Sequence, residues 1–163
     1  MNKTPIYQLA FELGQKLKKR EWKLVTAESC TGGGLAYAVT EISGSSAWFE
    51  RGYVTYSNKA KEELLGVQVK TLNEWGAVSQ QTAHEMAEGA LENSKAQIGI
   101  AITGIAGPDG GSIEKPVGMV WFGWAGIHAD TITEVQYFSG DRQSVREQAI
   151  RFALERLIEF TAG

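Results

Sequence analysis

Val25-Thr26-Ala27-Glu28-Ser29-Cys30-Thr31-Gly32-Gly33-Gly34 carries the first usable statement about this 163-residue chain. It begins as the end of a β-branched run at 24–26 and finishes in three glycines that open an amphipathic segment at 35–42. A strand that stops in hydroxyls and glycines at a helix start leaves unpaired backbone N–H groups at the positive end of the helix dipole, with little bulk around them. Such a turn can hold an anion. It also brings the two best nucleophile candidates, Ser29 and Cys30, to one spot. Successive side chains of an extended chain point opposite ways, so one of the two is expected to face a pocket. The same residue types serve equally as ordinary turns and caps, so the flanking sequence has to decide.

Upstream, residues 4–20 place Ile6, Ala10, Leu13 and Leu17 at helical spacing, with basic residues toward the C-terminal end where they suit the dipole. Downstream, Gly44-Ser45-Ser46 breaks the second helix, and the aromatic, β-branched run 48–57 reads as a strand, at least from Gly52. Asn58 is the expected N-cap of a short helix over 59–65 that Gly66 stops. Residues 68–78 read as a connection with one or two turns. Ser79 then caps a helix in which Ala83, Met86, Ala87, Ala90 and Leu91 form one apolar face.

The run 98–103 is an apolar strand that ends, like the first, in a glycine-rich loop, Thr103-Gly104-Ile105-Ala106-Gly107-Pro108-Asp109-Gly110-Gly111. Residues 117–125 are apolar on both alternating faces, as in a strand covered on both sides. A further strand over 131–138 pairs with it through the turn at 126–130. Asp141 caps a last helix reaching about Phe160, whose apolar residues cover more than a narrow stripe and point to a second contact surface, such as another subunit. Helices and strands alternate and a hairpin follows. The expectation is a single domain over 1–163, an α/β fold built as a three-layer α/β/α sandwich on a mixed sheet.

Composition narrows the function. Sixteen basic and 19 acidic residues give a formal charge of −3, which argues against a general nucleic-acid surface. The N-terminus lacks a signal-peptide pattern and no run is long enough to span a membrane, so a cytoplasmic protein is expected. One cysteine excludes an internal disulfide framework. His84-Glu85 does not continue as a metalloprotease motif and there is no Cys/His cluster, so no dedicated metal site is expected.

A serine nucleophile needs a base. His84 falls on the polar face of its helix and His128 in a hairpin turn, both ordinary places for surface histidines. Lys61 lies in the first turns of its short helix, where the positive dipole end disfavours an ammonium ion. Working near neutral pH requires its pKa to fall by about three units, which burial together with the dipole can supply. Tyr56, just before that helix, either shares in proton transfer or packs. Arg142 and Arg146 stand one turn apart at the start of the last helix, where like charges and the dipole both oppose them. Either they build an anion site, or Asp141 and Glu147 neutralise them. Because ligands collect at the carboxyl ends of strands in open α/β sheets, Ser29 and Thr103 are expected on one rim.

The runs TAESCTGG, GSSAWFERGYVTYSNKAK, TGIAGPDGGSIEKPVGMVWF and GDRQSVREQA, in this order, resemble the CinA C-terminal domain family, and within it the stand-alone nicotinamide-nucleotide amidohydrolases. The resemblance covers nearly the whole chain. It implies hydrolysis of the carboxamide of nicotinamide mononucleotide (NMN), a small-molecule substrate, to nicotinate mononucleotide and ammonia in pyridine-nucleotide salvage. It also implies Ser29 as nucleophile and Lys61 as its base, with Tyr56, Thr103 and Arg142 falling on further family motif positions. Cys30, Thr31, Gly32, Gly33 and Gly104 complete the expected substrate-binding set, and either Arg142 or the glycine-rich turns take the phosphate. A homo-oligomer, most simply a dimer, is expected, without nucleic-acid or membrane partners. Two rivals stand beside this reading: a hydrolase using Cys30, and a nucleotide-binding or protein-partner module without catalysis.

Overall fold

Alternation along the interior strands sorts side chains onto two faces of one five-stranded sheet in the computed structural model, which describes residues 4–162. The strands are β1 (Leu24–Glu28), β2 (Phe49–Val54), β3 (Ile98–Gly104), β4 (Met119–Gly126) and β5 (Ala129–Tyr137), in the spatial order β2-β1-β3-β4-β5. β1 is parallel to both β2 and β3, whereas β4 and β5 are antiparallel to their neighbours, so the sheet is mixed. Leu24, Ile98, Ile100, Ile102, Val120 and Phe122 bury one face under α1 (Ile6–Arg20), α2 (Gly34–Thr40) and α6 (Arg142–Phe160). Val25, Ala27, Ala101 and Ala125 bury the other under α3 (Asn58–Leu65), α4 (Val69–Trp75) and α5 (Gln80–Glu92). This is the expected three-layer sandwich.

The second face is built of small side chains because α5 lies close to it. A Cβ on Gly123 would come within 2.5 Å of the Ala83 carbonyl oxygen, and one on Gly89 would run into the Leu65 carbonyl at the end of α3. Close approach of α5 thereby sets where α3 sits. The breadth of the apolar surface on α6 is used within the chain, since Val145, Ala149, Leu154 and Leu157 enter the core while Ile150, Phe152 and Ile158 pack on its margin.

Three local expectations are corrected. Residues 69–75 form a helix rather than turns, and its start is capped from a distance: Glu85 of α5 accepts hydrogen bonds from the Gln68 N–H at 2.9 Å and the Thr71 hydroxyl at 2.6 Å. No cap of that kind is visible in local sequence. The N-cap of α3 is Ser57, not Asn58; its Oγ accepts from the Ala60 N–H at 3.0 Å. The hairpin turn between β4 and β5 is tighter than expected, with β5 beginning at Ala129.

The topology locates a crevice. From β1 the chain crosses to β2 through α2 on one face, and from β2 to β3 through α3, α4 and α5 on the other. Strand order therefore reverses beside β1, and the carboxyl ends of β1, β2 and β3 open at that point, where α/β sheets bind ligands.

Candidate active site

Ser29 is the first residue past β1, and both neighbouring strands fix the chain there. Its N–H donates to the Ile102 carbonyl at 3.0 Å, and the preceding Glu28 carbonyl accepts from the Thr55 N–H at 2.8 Å. The turn after it is held from inside. The Glu28 side chain, wholly buried, accepts from the Thr31 hydroxyl at 2.6 Å, the Leu35 N–H at 2.9 Å and the Ala36 N–H at 3.0 Å. One carboxylate thus caps α2, whose own N-cap, Gly33, has no side chain to do it. Gly32 and Gly33 take φ of +57° and +97°, which side chains would resist. The N–H groups of Cys30 and Thr31 find no acceptor among the described residues.

Lys61 lies in the first turns of α3. Helical side chains lean toward the N-terminus of their helix, so its amine returns to the carbonyls that precede the helix. Nζ donates to the Thr55 carbonyl at 2.9 Å and the Tyr56 carbonyl at 3.3 Å, and it meets Ser29 Oγ at 2.9 Å. Lys61 is 1% exposed. Burial pushes its pKa down to about 8, with a small opposing pull from Cys30. Cys30 is buried as well, and burial, then the negative charge of Glu28, push its thiol up to about 12.

Ser29, Cys30, Tyr56, Lys61, Thr103, Gly104 and Arg142 line one cleft of about 250 Å³. Thr31, Gly32 and Gly33 do not line it; they form the turn behind Ser29. The Thr103 hydroxyl donates to the Ala77 carbonyl at 2.9 Å, drawing the α4–α5 connection to the rim. Tyr56 places its hydroxyl beside Arg142 rather than beside Ser29 or Lys61, accepting from Nη2 at 3.2 Å. Arg142 also donates to the Gly107 carbonyl at 2.9 Å. Arg146 is not in the cleft and donates to the Thr31 carbonyl at 3.3 Å. Among the described residues neither arginine forms an ion pair, and Asp141 is occupied in capping α6 through the Ser144 N–H at 2.9 Å.

His84 sits on α5 beside Glu88, His128 lies in the β4–β5 turn, and neither reaches the cleft. The sequence reading missed Ala77 and Val78 as lining residues, and of the loop after β3 it named only Thr103 and Gly104, whereas Ile105, Ala106, Gly107, Asp109 and Gly110 line the cleft too. Asp109 stands in the glycine-rich loop it had marked, whereas nothing local flags Ala77 or Val78. A larger groove of about 610 Å³ over the start of α6 has serines but no amine beside them; the Gln148 amide takes up Ser144 Oγ.

An α/β sandwich that sets a serine hydroxyl against a buried lysine amine at the strand ends defines a class of protein. The matching family is the CinA C-terminal domain, whose model aligns with residues 6–161, and the chain belongs to that family. It is 55% identical over 155 residues to the nicotinamide-nucleotide amidohydrolase PncC of Enterobacter agglomerans, covering 95% of this chain and 94% of that protein. To the protein of the same name from Escherichia coli K12 it is 53% identical over 157 residues, covering 96% and 95%. Among solved structures, the competence/damage-inducible protein CihA of Agrobacterium tumefaciens superposes with a TM-score of 0.92 at 46% identity, covering 98% of each chain. The competence damage-inducible protein A of Klebsiella pneumoniae gives 0.94 at 40% identity, also covering 98% of each.

Proposed function

We propose that this protein hydrolyses the carboxamide of nicotinamide mononucleotide to nicotinate mononucleotide and ammonia, with Ser29 as nucleophile and Lys61 as general base and acid. The observation that carries the reading is the arrangement of the Lys61 amine. Its three N–H groups donate to the Thr55 and Tyr56 carbonyls and to Ser29 Oγ; when the amine loses one proton, the two carbonyls hold the remaining N–H groups and the lone pair is left for the Ser29 hydroxyl. A pKa of about 8 leaves roughly one amine in ten neutral at pH 7, against fewer than about one in a thousand at the unperturbed value.

Ser29 Oγ attacks the carboxamide carbon while Lys61 takes the hydroxyl proton, a role worth roughly 10²- to 10⁴-fold. The carbonyl oxygen becomes an oxyanion, for which the N–H of Cys30, the residue after the nucleophile and one that lines the cleft, is a donor with no acceptor among the described residues. The tetrahedral intermediate collapses as Lys61 returns the proton to nitrogen and ammonia leaves. Water then attacks the acyl-Ser29 ester with Lys61 again as base, releasing the carboxylate and restoring the hydroxyl. Arg142, at the cleft rim and without an ion pair among the described residues, is the phosphate partner, and Tyr56 steadies it. No step requires a cofactor. The names of the relatives support the substrate, and salvage of pyridine nucleotides is the setting it serves. A dimer of this domain is the expected assembly.

The test is ammonia release from NMN by the purified protein, with nicotinate mononucleotide as the matched product. Tight binding without release would instead favour the non-catalytic module.

A further inference from the structure

Apart from the Lys61 amine, the cleft is lined by one formal charge of each sign, Arg142 and Asp109, which form no ion pair with each other. Arg142 spends its hydrogen bonds on the Gly107 carbonyl and the Tyr56 hydroxyl. Asp109 stands two residues beyond Gly107, on the same loop, and lines the same cleft, yet it makes no hydrogen bond or ion pair among the described residues. Cleavage of an amide by a hydroxyl and an amine calls for neither charge. A carboxylate near an anion-binding arginine would also weaken a ligand whose only charge is negative, unless that ligand carries a cation of its own. Separated charges of both signs fit a zwitterion. In a pyridine nucleotide the ring nitrogen bonded to the ribose is quaternary, so the ring bearing the carboxamide is a cation while the phosphate at the far end is an anion.

We propose that Asp109 is the binding residue for the pyridinium ring, and that with Arg142 it makes the cleft selective for zwitterionic carboxamide nucleotides over neutral-ring analogues. This rests on the function proposed above. Asp109 is exposed, so the interaction is partly screened by solvent and salt, and its expected size is about fivefold in affinity.

The experiment compares the S29A and S29A/D109N proteins in equilibrium binding of three probes: NMN, its 1,4-dihydro form with the same outline and an uncharged ring, and ribose 5-phosphate. NMN is expected to bind about fivefold more weakly once Asp109 is Asn, while the other two are unchanged. Rising salt should narrow the NMN difference. Equal weakening of ribose 5-phosphate would assign the carboxylate to ribose hydroxyls, and equal weakening of the dihydro form would assign it to shape; either overturns the proposal, as does unchanged NMN binding. Asp109 has no partner to lose, so the unfolding midpoint of D109N should match that of the parent. Ammonia release by the wild-type protein is measured alongside: its absence sinks the proposed reaction, while a selective NMN effect would still uphold the role of Asp109.

Discussion

Lys61 Nζ and Ser29 Oγ lie 2.9 Å apart although 32 positions separate them in the chain. The amine arrives from the first turns of α3 and the hydroxyl from the end of β1, and the carbonyl of Thr55, one residue past β2, holds the amine in place. Strand pairing and helix entry together set this distance.

Replacing Ser29 by Ala should reduce ammonia release from NMN by at least about 10³-fold, whereas Cys30→Ala should retain most of it. Because burial keeps the Cys30 thiol near a pKa of 12, iodoacetamide should leave it unmodified at pH 7. A Cys30→Ala protein that is as dead as Ser29→Ala would move the nucleophile to the thiol.

The rate should follow the neutral fraction of Lys61. With a pKa of about 8, kcat/KM should rise about tenfold per pH unit below that value and level off above it. A profile flat from pH 6 to 9 would remove Lys61 as base.

The same group should leave a mark on stability. The folded pKa of Lys61 lies below its unfolded value, so between about pH 8 and 10.4 the unfolded chain holds a proton the folded one lacks. Its contribution therefore becomes more favourable as pH rises through that window, by up to about 3 kcal/mol, and is constant below it. Urea unfolding of the wild type and Lys61→Met across pH 7 to 10 reads this as a difference in slope. Parallel curves would contradict it.

Arg142→Ala should raise KM for NMN by about 10- to 30-fold, the cost of one charge-assisted contact to phosphate. The corresponding riboside, which lacks phosphate, should be affected far less. Equal losses for both would place Arg142 elsewhere on the substrate.

Glu28→Gln replaces Oε2, which accepts from the Ala36 N–H, with a donor facing a donor. A loss of about 2 kcal/mol in unfolding free energy is expected, with lower turnover as the turn carrying Ser29 loosens. An unchanged denaturation midpoint would show that α2 does not depend on this cap.

Much of the site was legible in local sequence because each piece has a local cause. Hydroxyls and glycines after an apolar run mark the Ser29 turn, and the same signature marks Thr103; both strand ends do open into one cleft. The distant caps were illegible for the opposite reason. Glu28 closes α2 from seven and eight positions away, and Glu85 closes α4 from 17, so neither leaves a pattern at the helix start. Tyr56 was readable as a site residue but not as the partner of Arg142, 86 positions on.

By itself the sequence determined the kinds of element, the two glycine-rich turns and the residue types offered for chemistry, because periodicity and turn stereochemistry act over a few residues. Tertiary structure decided which of those residues meet and in what charge state. The amine of Lys61 is an ordinary ammonium until the sheet and α5 press α3 over the end of β1, and removal from water is what lowers its pKa to about 8.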